Sequence, residues 1–255
     1  MKKVLKVALC VLLALVVLAG GYFAYVMISY HRIGDQELTV RSDTDEKIAA
    51  ETDYTLVSWN IGFGAYEPDY GFFMDKGTQS WAWSEERLRA NIAGIADTLK
   101  EYDADLLLLE EVDTNSTRTY HVNELELLQN ALTQYPTSAF AQNYDSPFLF
   151  YPITQPHGAS NSGLLTTSKL GIRSAVRRSL PVETGVTKLL DLDRCYSVSK
   201  IPVSNGKELC LYNLHLSAYT SDGKIADEQL ELLLSDMQAE FKAGNYVIGG
   251  GDFNK

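Results

Sequence analysis

The chain has 255 residues, 45% of them hydrophobic, with 15 tyrosines and a formal net charge of −11. That is enough for one large or two small globular domains with a sizeable core. Setting aside Lys2, Lys3 and Lys6 leaves 19 Lys+Arg against 33 Asp+Glu, a balance of −14, which excludes a broad basic surface of the kind that holds nucleic acid or anionic lipid nonspecifically.

The first 30 residues differ in kind from the rest. Three lysines precede an uncharged apolar run from Val7 to Ile28, and about 20 such residues span a bilayer. The run continues past Ala19-Gly20-Gly21, so it reads as an uncleaved anchor rather than a signal peptide. Lysines before the span predict a cytoplasmic N-terminus, a single pass and a domain outside the cell membrane. Residues 31–52 are polar, without a clear period, and read as a stalk. The remaining residues, 53–255, form the domain.

Within the domain, residues 54–61 alternate as a strand. Ser84 followed by Glu85 and Glu86 reads as a helix N-cap with acids in the first turn. Leu88, Ile92, Ile95 and Leu99 then mark one apolar face. Asp103-Ala104-Asp105 breaks that helix before a strand over Leu106–Leu109. Leu125, Leu128 and Leu132 predict a short second helix. Ser162–Leu170 and Cys195–Val203 read as strands. Glu208–Leu216 completes a hairpin around a two-residue Asn205-Gly206 turn. That turn sets Ile201 opposite Cys210 and Cys195 opposite Leu216, too far apart for a disulfide, so both thiols are expected free and buried. Leu230, Leu233, Leu234, Met237 and Phe241 mark a third helix stopped by Gly244, and Tyr246–Gly249 is the last strand. This order predicts an α/β fold, a layered sandwich of two mixed β-sheets flanked by helices, preceded by one transmembrane helix.

Four of the strands end in groups that carry chemistry. Val57-Ser58-Trp59-Asn60 ends in an amide, Leu106–Leu109 in Glu110-Glu111, Leu211-Tyr212-Asn213-Leu214 in His215, and Tyr246-Val247-Ile248 in Gly251-Asp252-Phe253-Asn254. Taken singly, each has an ordinary structural explanation: a turn asparagine, a solvated acidic strand end, an edge histidine, an Asx turn. Together they suggest one metal-assisted site for a phosphate ester. Adjacent strand residues point to opposite faces, so only one of Glu110 and Glu111 is expected to reach it.

Val-Ser-Trp-Asn, Leu-Leu-Glu-Glu-Val, Asn-Leu-His-Leu and Gly-Gly-Asp-Phe-Asn, in this order, resemble the endonuclease/exonuclease/phosphatase superfamily over roughly residues 54–255. The resemblance is to a membrane-anchored bacterial branch. It implies a Mg²⁺- or Mn²⁺-dependent hydrolase of phosphate esters, most simply a phosphodiesterase of nuclease or sphingomyelinase type. Nucleic acid, a phospholipid head group and a small phosphodiester all remain open as substrates, and a monomer is expected. By motif position, Glu111 would ligate the metal and Asn60 would lie near both metal and phosphate. His215 would contact the phosphate, Asp252 would orient or activate the attacking water, and Asn254 would hold a phosphoryl oxygen. Arg194 is placed as a basic phosphate contact, with Arg177, Arg178 and Lys188 as competitors. Glu110 stands where the family pattern has Gln.

The family pattern continues into further strands and a Ser-Asp-His motif, whereas none of His31, His121, His157 and His215 follows Asp252. The sequence therefore reads as C-terminally truncated, with its final strands missing, and as inactive or poorly folded in this form. Its last strand would be central in the family's sandwich, and without later strands it is expected to expose an unpaired edge. A noncatalytic surface-anchored binding module on the same fold is the alternative reading. Phe63, Tyr66, Tyr70, Phe72, Phe73, Trp81 and Trp83 form an aromatic stretch directly after the Asn60 strand. It would either overhang the site or pack as an Ω-like loop. Residues 145–160 form a second long loop that could make the opposite rim.

Overall fold

The computed structural model describes residues 2–182, 193–217 and 223–254. In chain order the elements are α1 (Lys2–Ser29), β1 (Gln36–Leu38), β2 (Val40–Ser42), β3 (Leu56–Asn60), α2 (Glu85–Tyr102), β4 (Leu106–Asp113) and α3 (Glu124–Ala131). They continue with β5 (Thr137–Leu149), β6 (Gly158–Ser168), β7 (Ser174–Ser179), β8 (Cys195–Pro202), β9 (Glu208–His215), α4 (Lys224–Lys242) and β10 (Tyr246–Asp252). One sheet runs β1-β7-β8-β9-β10 and the other β2-β5-β6-β4-β3. The pairs β3–β4 and β9–β10 are parallel and the others antiparallel, so both sheets are mixed.

Alternation along β4 sets the layers. Leu107 and Leu109 pack with Ile92, Leu99 and Leu128 under α2 and α3. Leu106 and Leu108 face the opposite sheet, with Ile201, Leu209 and Leu211. All four leucines are at most 2% exposed, and each such burial contributes about 1.5–3 kcal/mol. Strand β9 mirrors this pattern. Leu209 and Leu211 point between the sheets, while Cys210, Tyr212 and Leu214 point outward to Leu233 of α4. Asn213 Nδ2 crosses the inter-sheet layer to the carbonyls of Leu109 (3.4 Å) and Leu165 (3.2 Å).

The helix signals translate directly. Ser84 Oγ accepts the Arg87 N–H at 3.1 Å, and Asp103 closes α2 in the left-handed region. On α4 the expected stripe is only partly covered. Leu233 is buried, but Leu234 and Phe241 are exposed. Strand β10 pairs only with β9 among the described residues.

Three local readings are corrected. The β8–β9 turn has three residues, Ser204-Asn205-Gly206, closed by Val203 N–H to the Lys207 carbonyl and with Gly206 at φ +85°. That geometry shifts the register by one, so Ile201 faces Leu209 and Cys195 faces His215. Cys195 and Cys210 are free and buried, as expected. Residues 31–52 contribute β1 and β2, one to the edge of each sheet; with three residues each, these strands are too short to show a period. Finally, β4 carries a bulge between Leu109 and Val112, with Glu111 at φ +55°. A bulge puts two residues opposite one, so Glu110 and Glu111 share the inter-sheet side and Val112 rejoins the helix-facing core.

Gly251 sits at φ +133°, and a Cβ there would lie 2.0 Å from the Leu214 carbonyl oxygen. Gly251→Ala is therefore expected to lower unfolding stability by about 2–4 kcal/mol through combined strain and backbone clash. Denaturant titration measures this, and an unchanged midpoint would contradict the β9–β10 register.

Candidate active site

The parity that builds the core also aims the site. In β3, Val57 and Trp59 pack toward the helices, which turns Ser58 and Asn60 inward. In β9, His215 follows Leu209, Leu211 and Asn213 into the inter-sheet layer. In β10, Gly250 backs onto Leu108 and Ser58, which turns Asp252 the same way, and Asp252 pairs with His215 in register. Four strand ends thus deliver Asn60, Glu111, His215 and Asp252 to one end of the sandwich.

Asn60 is the junction. Its Nδ2 donates to Glu111 Oε1 at 3.1 Å and to Asp252 Oδ2 at 2.8 Å. Its Oδ1 accepts the Gly62 N–H at 2.9 Å, which fixes the orientation of the amide. His215 Nε2 lies 4.0 Å from Glu111 Oε1 and 3.7 Å from Asp252 Oδ2, too far for a hydrogen bond with either. Asp252 Oδ1 accepts the Asn254 N–H at 2.9 Å, and Asn254 Nδ2 donates to the Leu216 carbonyl at 2.8 Å.

Burial, followed by the charges of Arg194 and Arg118, holds His215 well below the usual histidine range, so the ring is neutral. Burial raises Glu111, opposed by Arg118, Asn60 and Arg194. Glu110 is pushed well above the carboxylate range by burial and then by the charges of Asp252 and Glu111. It is 1% exposed, and neither side-chain oxygen has a hydrogen-bond partner within 3.5 Å. Its charged form is disfavoured by burial beneath the site.

These groups open into a cleft of about 760 Å³. Asn60, Glu111, Arg194, His215, Asp252 and Asn254 all line it. Arg194 thereby separates from two of its three competitors. Arg177 is buried and bonded to the carbonyls of Gln142, Ile33, Gly34 and Asp193. Arg178 pairs with Asp35 and Asp236. Lys188 lies outside the described residues.

Lining residues to which the motif reading gave no role include Arg118, Asn143 and Ser162, while His157 comes from the 145–160 segment expected at the rim. Arg118 is held in a fork by Asp113, at 2.9 and 2.8 Å, and its guanidinium lies 3.8 Å from the Phe63 ring centroid. Asn143 sits at a second bulge, opposite Gly163 and Ser162. The side chains of Asn143, His157 and Ser162 are each at most 3% exposed, yet each carries a polar atom without a protein partner. The compartment beside the acids is therefore rich in donors. The aromatic stretch divides. Phe63, Tyr66 and Phe72 line the cleft, while Phe63 and Phe72 also form a small core with Leu88 and Val122.

A model of the Endonuclease/Exonuclease/phosphatase family matches residues 57–255. The chain belongs to this family. Among solved structures, an endonuclease/exonuclease/phosphatase from Beutenbergia cavernae is 19% identical, with a TM-score of 0.53 over 71% of this chain and 43% of that one. The human Nocturnin catalytic domain with bound sulfate is 19% identical, with a TM-score of 0.51 over 86% of this chain and 68% of that one. ANGEL2, described as a 2',3'-cyclic phosphatase, is 18% identical, with a TM-score of 0.51 over 86% of this chain and 56% of that one. The chain thus spans 43–68% of the length of these three relatives. No curated protein matches the sequence. Family enzymes act on phosphate esters and generally use divalent metals.

His157, packed among Phe72, Phe73 and Tyr144, is lowered by burial from 6.5 to about 4. The unfolded chain binds this proton first, so the stabilisation is complete above pH 6.5 and is lost as pH falls toward 4. Urea unfolding at pH 7 and pH 5 should show this site contributing a loss of about 2 kcal/mol. His157→Phe should remove that increment, and an identical acid loss in the variant would contradict it.

Proposed function

We propose that the protein is a divalent-cation-dependent phosphodiesterase, held by α1 with its domain outside the membrane. One observation carries this reading. A single amide, Asn60, gathers a carboxylate from each sheet beside a buried neutral imidazole. They meet in a cleft that also receives Arg118 and Arg194. Membership of a phosphoesterase family supports it.

The donor set fits a hard cation. Glu111 Oε1 and Asp252 Oδ2 accept from the same nitrogen, so one ion can reach carboxylates of both sheets. Among the described residues no three His, Cys, Asp or Glu side chains form a ready-made cluster. Mg²⁺ needs none, because it takes one or two carboxylates and completes its shell with water and substrate phosphate. Glu111, with Asn60 beside it, would hold Mg²⁺ or Mn²⁺. When bound, the cation supplies Lewis-acid polarisation of a phosphoryl oxygen.

The chain's own groups supply the rest. Asp252, its two oxygens fixed by Asn60 and Asn254, orients the attacking water and takes its proton. Neutral His215 donates a ring N–H to a nonbridging oxygen. Asn254 uses one amide hydrogen on Leu216 and offers the other to the phosphoryl group. Arg194 and Arg118 provide positive potential toward the phosphoryl oxygens. Nucleic acid, a phospholipid head group and a small phosphodiester all present this diester chemistry.

In the full-length parent protein, chelation with EDTA should abolish hydrolysis of bis(p-nitrophenyl) phosphate, and Mg²⁺ or Mn²⁺ should restore it. Glu111→Gln should reduce the rate on the order of 100-fold or more. Glu110→Gln should leave it nearly unchanged, since Glu111 lines the cleft and Glu110 does not. Equal losses at both positions would overturn the assignment.

The anchor has its own check. The chain should stay in the membrane fraction after carbonate washing, with residues beyond Tyr30 open to external protease. A mature N-terminus near Gly20 or Gly21 would show a cleaved leader instead.

A further inference from the structure

The tip of the β5–β6 hairpin, residues 147–157, reads Pro-Phe-Leu-Phe-Tyr-Pro-Ile-Thr-Gln-Pro-His and carries no acid, lysine or arginine. Its large apolar side chains point away from the domain. Phe150 is 54% exposed, Tyr151 70% and Ile153 77%. The same tip is pinned to α1. The Tyr22 hydroxyl donates to the Phe148 carbonyl at 3.2 Å and accepts the Phe150 N–H at 2.9 Å. The Tyr25 hydroxyl accepts the Phe148 N–H at 3.4 Å, and the Tyr22 and Phe150 rings meet edge to face at 6.2 Å.

The depth of this contact follows from helix geometry. A span of about 20 residues beginning at Val7 ends near residue 26. Tyr22 then lies about one turn, roughly 6 Å, inside the outer boundary. That is the level at which tyrosine concentrates in membrane proteins and at which interfacial apolar segments reside. Hairpin-tip backbone placed there has no water to bond with. The two tyrosine hydroxyls supply partners for the Phe148 carbonyl and for the Phe148 and Phe150 N–H groups.

We propose that the 147–157 loop is a second bilayer contact, seating Phe150, Tyr151 and Ile153 in the outer interface beside α1. The occupant is the apolar interface of the membrane itself. Continuity with the apolar surface of α1 selects it, and the absence of cationic side chains in the loop excludes a contact that depends on anionic lipid. The inference rests on the membrane reading of α1. Its consequence is positional. Tyr151 packs on Phe73 at 5.9 Å, Trp81 Nε1 donates to the Pro156 carbonyl at 2.7 Å, and His157 lines the cleft. A loop held in the interface therefore fixes one wall of the cleft at the membrane surface.

The test uses the full chain in phosphatidylcholine vesicles, with Cys10→Ser and a nitroxide on Ile153→Cys. Reference labels are placed on Leu12→Cys in the span and on Tyr102→Cys, an exposed residue at the end of α2. Collision rates with oxygen and with a water-soluble nickel chelate report depth. The Ile153 label should show an oxygen-to-nickel ratio several-fold above that of Tyr102 and below that of Leu12. A lipid-exposed Leu12 label with an Ile153 ratio equal to Tyr102 would overturn the loop contact alone. A water-exposed Leu12 label would overturn the anchor and the loop contact together. Neither readout depends on hydrolysis, so the phosphodiesterase proposal stands or falls separately.

Discussion

The hydrogen bonds from Asn60 Nδ2 to Glu111 and Asp252 are the constraint on which the rest of the site depends. Strands β3 and β10 each pair on one side only among the described residues, so backbone ladders alone do not fix one against the other. The glycines at 249–251 let β10 approach β3 and β4 closely, and a Cβ at Gly250 would meet Leu108 at 2.9 Å. One shared donor then registers the two edges at their C-terminal ends. Further in, the buried Asn213 of β9 bridges to the carbonyls of Leu109 in β4 and Leu165 in β6. A polar bridge between two packed sheets is worth having because each buried group left unbonded costs about 1–3 kcal/mol.

The electrostatics of the cleft run against those of the chain. The chain outside its three N-terminal lysines has a balance of −14 and repels anions at long range, yet its cleft gathers Arg118 and Arg194 around the candidate phosphate position. Screening confines the surface acids to about 10 Å at 0.1 M salt. Asp113 neutralises part of Arg118 while aiming it. Glu124 accepts the Asp113 N–H at 2.8 Å, and burial followed by the Asp113 charge raises it well above its usual range. The cluster beneath Arg118 therefore carries less negative charge than its composition suggests. Net charge describes the surface of this protein, and burial decides the sign of its site.

Much of this arrangement was legible in the sequence, for a physical reason. Strand parity is a strict period of two, so a polar residue closing an apolar strand has its face assigned by its neighbours. That rule put Asn60, His215 and Asp252 at the same end, and the N-cap of α2 was as plain. The rule failed at Glu110-Glu111, because the bulge is set by pairing with β6 rather than by any glycine or proline nearby. It failed again at Ser204-Asn205-Gly206, where Asn-Gly suggests a two-residue turn but Gly206 serves as the left-handed third residue. Strands β1 and β2 are too short to show a period, and β5 and β7 were not assigned. Arg118, Asn143 and Ser162 reach the cleft only through tertiary packing, so no local pattern marks them.

The central claim is that Asn60 assembles one divalent-cation site from two sheets. The most direct measurement is Mn²⁺ binding to the full chain by electron paramagnetic resonance, which reads the loss of the free-ion signal without requiring turnover. One Mn²⁺ should bind per chain, be displaced by Mg²⁺, and weaken at least tenfold in Asn60→Leu, in line with the loss of a group that orients a ligand. Stoichiometric binding unaffected by Asn60→Leu, or no bound Mn²⁺ in the unsubstituted chain, would contradict the account.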